Sequence, residues 1–251
     1  MVDVVLNVGA NTIPEWGGFR APIDDHAKFS FIPIPLKDKF EVKPAELAPN
    51  YDELGLKWAV PSEKLTHRAL VSPNFKNLTY GHLHRPSDGR IFEKLKKEGR
   101  HLVFFSTLRY GANKNQWGAY LIGYFSTEFV LTGKEMSEQE QIYGKRFEEY
   151  SWYRTIDSTR HRRVGADWWI SGSNGGLFTR AIALSEPDDP KHWNKFAIRT
   201  LRTTGQPPKN LESNKTTIAK YNWTLVVDEN ETNYFWNEVN RTSLGVERRL
   251  V

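Results

Sequence analysis

The chain contains no cysteine. That absence excludes disulfides, thiolate nucleophiles, iron–sulfur clusters and cysteine-ligated zinc together, so any chemistry must rest on oxygen and imidazole groups. No apolar run of about 18 residues occurs, and no charged segment leads into an apolar stretch near the start. A cytoplasmic location without membrane contact is therefore expected. Familiar signature loops are missing too. There is no Walker pattern, GxGxxG loop, Gly-x-Ser-x-Gly elbow or His-Glu-x-x-His helix, which argues against the common hydrolases and dinucleotide enzymes, and no cofactor is expected. His82 and His84 share a strand face with His67 near in sequence, but without an identifiable third ligand no metal site is assigned.

What the chain does have is length and aromatic bulk. At 251 residues, 39% hydrophobic and 13% aromatic, it has enough apolar surface for one domain spanning 1–251. Lys+Arg 35 against Asp+Glu 30 leaves a net charge of +5. This modest excess favours phosphate-bearing partners.

Val2 to Val8 is a β-branched run that predicts an interior strand. Phe29 to Leu36, interrupted by Pro33 and Pro35, predicts an edge or extended segment because proline cannot donate to a ladder. Asn50 to Leu56 reads as a loop, Pro61 to Leu70 as a short helix, and Pro73-Asn74 as a turn. Arg90 to Glu98 has the stripe of a helix, with Gly99 placed as a C-cap. His101 to Leu108 and Ala119 to Leu131, joined by a Gly/Asn loop, predict an antiparallel hairpin. Ser137 with Glu140 forms a capping box for a helix to about Tyr153. Trp168 to Ile170 and Leu177 to Leu184 read as two strands separated by a turn at Ser171 to Gly176. Asp189 to Trp193 reads as a helix start, Gln206 to Lys209 as a linker, Ile218 to Val227 as a strand and Thr232 to Arg241 as a closing helix. Strands and helices mix without β-α-β alternation, so the class is α+β: a mainly antiparallel, strongly curved sheet or small barrel with flanking helices.

Three stretches carry chemistry. Around Gly17-Gly18 stand Asn11, Trp16, Arg20, Asp24 and Asp25. Paired glycines let backbone approach a ligand, Trp16 can stack on a base, Arg20 can pair with phosphate, and Asp24 or Asp25 can accept a proton or hold a metal. The competing reading is a structural turn in which the acids cap a neighbouring element. Arg109-Tyr110 at the end of the first hairpin strand, with Trp117 across the loop, supplies a guanidinium, a phenol and an indole that can clamp a planar ring and a phosphate. The bland alternative is an arginine whose stem covers apolar surface. Arg154, Arg160, Arg162 and Arg163 lead into Trp168, a mixture of cations and flat rings suited to single-stranded nucleic acid, or else a solvated basic loop beside core tryptophans.

The segments GGFRAPI, then Asp25, then FSFIPIP resemble the opening of the third type of nucleotide-modification-associated domain. HLVFFSTLRYG followed by AYLIGYFSTE is similar to that family's strand, aromatic-Arg turn and return strand, and NGGLFTRAIALSE resembles its later Gly-Phe-apolar-Leu segment. The hairpin also resembles the core of PUA-like and EVE-type barrels. Both resemblances imply nucleobase or nucleic-acid handling in the setting of DNA base modification, and neither supplies a catalytic residue. The leading expectation is a binding module that takes a nucleotide, modified base or nucleic acid. The alternatives are an enzyme acting on nucleotides or DNA through Asp24 and Asp25, and a structural or interaction protein.

Overall fold

The computed structural model describes residues 2–9, 19–35, 49–71, 73–82, 89–110, 116–132, 134–135, 138, 168–186, 189, 191–204, 209, 211 and 224–249. Eleven strands are seen among them. They are β1 (Val2–Asn7), β2 (Ala21–Ile23), β3 (Ile34–Pro35), β4 (Ala69–Leu70), β5 (Thr79–His82), β6 (Gly99–Tyr110), β7 (Trp117–Thr132), β8 (Trp168–Ala183), β9 (Leu201–Thr203), β10 (Thr224–Val227) and β11 (Val246–Glu247). Three helices accompany them: α1 (Gly89–Glu98), α2 (Lys195–Thr200) and α3 (Thr232–Ser243). Nine of the strands form one sheet in the order β11-β8-β7-β6-β1-β10-β9, with β2 added to β6 and β5 to β8, while β3 and β4 pair separately.

The hairpin at the centre forms as its sequence predicts. Leu102 to Leu108 are all buried, which is the pattern of a strand covered on both faces rather than one. Along β6 two shorter strands lie end to end, both parallel to it: β1 pairs Asp3 with His101 and Asn7 with Phe105, and β2 pairs Ala21 with Leu108 and Ile23 with Tyr110. Val2 to Asn7 is thus interior, as expected, flanked by β6 and β10.

Successive side chains of a strand face opposite ways, so each face of the sheet receives its own cover. On one face Phe104 and Phe125 meet Phe75 edge-on at 5.4 Å, and Phe31 packs behind at 5.7 Å. On the other, Tyr124 packs against Trp236 of α3 at 5.1 Å. Helix α2 opens on Asn194, whose side chain accepts from Ala197 N, and its Phe196 stacks on Phe235 of α3. The closing helix was legible from the sequence, whereas Asp189, which accepts from Lys191 N and His192 N, and Trp193 stand before α2 rather than in it.

Four expectations need correction. Among the described residues the sheet is open, with β9 and the β5/β11 edge of β8 unjoined, so a barrel is not supported. Ser171 to Gly176 is not a turn: β8 runs through it for 16 residues. Gly175 and Gly176 take φ of +122° and +155°, and a Cβ would strike Tyr124 O at 2.1 Å and Glu247 O at 2.4 Å. These glycines admit close neighbouring backbone and strand irregularity, which in sequence mimics a loop. Gly99 is no left-handed cap either. It leads straight into β6, and a Cβ there would lie 2.2 Å from Leu95 O. The single turn of 3-10 helix at Ser62–Lys64 stands where a short helix was read. The Ser137 to Tyr153 helix apart from Glu138, the Gln206 to Pro208 part of the linker, and Ile218 to Trp223 lie outside the described residues.

Candidate ligand-binding corner and a buried acid–histidine cluster

Parallel pairing of β2 with β6 sets the residues after the early glycine loop beside the end of the hairpin strand. Across β6 and β7, Arg109 stands opposite Trp117. Arg20 then lays its guanidinium over the Trp117 ring, 4.2 Å from the centroid, while its backbone oxygen accepts from Arg109 Nε at 3.1 Å. The cation–π contact stabilises by about 0.5–2 kcal/mol depending on desolvation. Arg20 Nε is buried with no hydrogen-bond partner among the described residues, and burial pushes the guanidinium below its ordinary pKa. Tyr120 donates a short hydrogen bond to the Tyr110 hydroxyl, and the two rings meet edge-on at 6.1 Å. Burial, reinforced by that hydrogen bond, pushes the Tyr120 phenol up, so it stays protonated.

The remaining sequence candidates fall in three groups. Asp24 Oδ1 accepts from His26 N and Lys28 N, both at 2.8 Å, and holds the turn after β2; Asp25 is exposed on that turn. Trp168 begins β8 but is 4% exposed and stacked on Phe92 at 5.8 Å, which makes it core filling with no free ring face. Asn11, Trp16, Gly17, Gly18, Arg154, Arg160, Arg162 and Arg163 lie outside the described residues, as do His84 and the side chain of His82. Among the described residues no three His, Asp or Glu side chains converge as a metal site.

A cluster that sequence reasoning passed over lies at the opposite end of β6. Asp3 is 3% exposed within an apolar strand, where a carboxylate needs partners. Its Oδ1 lies 3.0 Å from His101 Nδ1, and its Oδ2 accepts from Trp236 Nε1 at 2.7 Å. The His101 ring is 4.3 Å from that of Trp236 and 5.6 Å from that of Tyr124. Burial pushes the Tyr124 phenol up. The signal was present in the sequence: a single acid among valines in Val2 to Val5, and a histidine heading an apolar run.

The sequence model of the family described as nucleotide modification associated domain 3 matches residues 3–225. The chain belongs to that family. Membership links the protein to nucleotide or DNA modification. The matched span takes in Asp3, Arg20, His101, Arg109 and Trp117, whereas Trp236 lies beyond it. A search of curated proteins and of solved structures gave no match. The likeness to PUA-like and EVE-type barrels gains no support, since the sheet does not close among the described residues. Among the described residues no helix is long and apolar enough to cross a membrane.

Proposed function

We propose that this nucleotide modification associated domain binds a nucleotide, a modified base or a nucleic-acid strand at the corner formed by Arg20, Arg109, Tyr110 and Trp117. One observation carries the reading. A guanidinium stacked on an indole, with a buried Nε that no described residue satisfies, is a planar cation that the fold holds in place without neutralising it. A base can stack on the arginine–tryptophan layer while phosphate meets the arginine N–H groups. Asn11, Trp16, Gly17 and Gly18, which shortly precede Arg20 in the sequence, are included in the proposal as further ligand contacts. Arg154, Arg160, Arg162 and Arg163 add contacts to a phosphodiester backbone when the ligand is a strand.

Binding is preferred over catalysis by Asp24 or Asp25 because Asp24 is engaged by two backbone N–H groups in its turn. Calorimetric titration with deoxynucleoside monophosphates and with a single-stranded oligodeoxynucleotide tests this proposal. Arg20→Ala is expected to abolish binding in a chain that still unfolds cooperatively, and oligonucleotide affinity is expected to fall steeply with salt. Unchanged affinity in the folded variant, or a flat salt response for the oligonucleotide, overturns it.

A further inference from the structure

The Asp3–His101 pair has the parts of a base rather than of a simple tie. As a carboxylate, Asp3 only accepts hydrogen bonds, so His101 Nδ1 carries the hydrogen, and in the neutral imidazole Nε2 then bears the lone pair. No described residue hydrogen-bonds Nε2, and the His101 side chain is 18% exposed, so the imidazole reaches the surface from a carboxylate that does not. Trp236 Nε1 holds the second oxygen of Asp3, which stops the carboxylate from rotating away from the ring. A histidine oriented through Nδ1 by a buried acid presents Nε2 to take a proton, and the imidazolium that forms faces a compensating charge. Trp236 and Tyr124, each half-buried, stand beside the imidazole as flat apolar walls.

We propose that His101 Nε2 is the proton acceptor of a second site, positioned by Asp3 and walled by Trp236 and Tyr124, that takes the hydroxyl or ring N–H of a nucleoside. In the proton transfer the ligand O–H or N–H bond breaks, the proton joins Nε2, and the electron pair stays on the ligand atom. Asp3 acts as a positioning residue and does not itself change protonation. The choice of nucleoside as ligand rests on the nucleotide reading above; the base itself rests on the geometry alone.

Diethyl pyrocarbonate acylates imidazole nitrogen that bears a lone pair, and peptide mass spectrometry locates the product. The intact chain is treated at neutral pH with and without thymidine or deoxyadenosine at millimolar concentration, alongside the Asp3→Asn and Arg20→Ala variants. His101 is expected to react, and one of the nucleosides to protect it. Asp3→Asn, which disturbs the tautomer, should slow acylation by about tenfold or more. Arg20→Ala should leave both reaction and protection unchanged. Selective histidine ¹⁵N spectra of the wild-type chain supply a readout independent of variant folding, with Nδ1 expected to carry the hydrogen. An inert His101, an Nε2–H tautomer or loss of protection in Arg20→Ala overturns the proposal. Nucleotide binding that spares His101 sinks this site and leaves the corner standing. Protection of His101 with monophosphate affinity unchanged in Arg20→Ala does the reverse.

Discussion

The two ends of β6 hold polar clusters built in opposite ways. At its start, Asp3 has a donor on each carboxylate oxygen and is sealed under α3. At its end, Arg20 has a ring beneath its guanidinium, a buried Nε with no described acceptor, and no described carboxylate within ion-pair range. The eight residue steps from His101 to Arg109 put roughly 26 Å of extended strand between them. A complete network stabilises the fold and fixes the orientation of its members, whereas an incomplete one costs stability and is retained where a ligand completes it. The Asp3 network is therefore expected to govern stability, with only the outer edge of the His101 ring open to a ligand, and the Arg20 cluster is expected to govern affinity.

The sharpest way to break that contrast is to remove the acid. Asp3→Ala leaves the His101 and Trp236 N–H groups without their acceptor, and each buried donor left unsatisfied costs about 1–3 kcal/mol. Denaturant unfolding followed by tryptophan fluorescence should show that loss as a lower midpoint. A loss under about 1 kcal/mol would place the Asp3 network on the surface side of the comparison, with a stability effect no larger than that of an exposed pair.

A smaller change is expected at the other end. Arg20→Ala removes a cation–π contact of about 0.5–2 kcal/mol, but it also removes a buried nitrogen without an acceptor, which costs about 1–3 kcal/mol. The two effects oppose each other. Stability should stay within about 1 kcal/mol of wild type, in either direction. A loss as large as that of Asp3→Ala would make Arg20 a structural residue and remove the contrast.

Part of this arrangement could be read from the residues, and the limits have physical causes. The β6–β7 hairpin, interior β1, α1 and the closing helix follow from local periodicity, which is strongest where a run is long and buried on both sides. The juxtaposition of Arg20 with Arg109 and Trp117 is brought about by the parallel pairing of the three-residue β2, too short to read as a strand. The continuous β8 was missed because Ser171 to Gly176 carries turn chemistry inside a strand, where the glycines serve close neighbours instead. A small barrel was one of two architectures that the mixed pattern of strands and helices allowed, and whether a sheet closes depends on its edges, which local sequence does not encode. The Asp3–His101–Trp236 cluster joins positions 233 residues apart, so only tertiary contact reveals it. Trp168 misled because stacking rings and core rings have the same composition.

The smallest difference between the two ends should appear in alkali. Tyr120 at the corner and Tyr124 beside His101 both have phenols raised above the ordinary value of 10.0, the first by burial together with the Tyr110 hydroxyl, the second by burial alone. A raised phenol means the folded chain holds the proton more tightly than the unfolded chain does. The stabilising contribution is then complete below pH 10 and is lost as pH climbs above it. Since Tyr120 has two causes acting in one direction, Tyr120→Phe should flatten the fall in melting temperature between neutral pH and pH 11 more than Tyr124→Phe does. Neither substitution should change the acid limb, because both phenols are neutral there. Equal flattening by the two variants would mean that the hydroxyl pair at the corner adds nothing to burial, and the distinction between a sealed end and an open one would then rest on Asp3 and Arg20 alone.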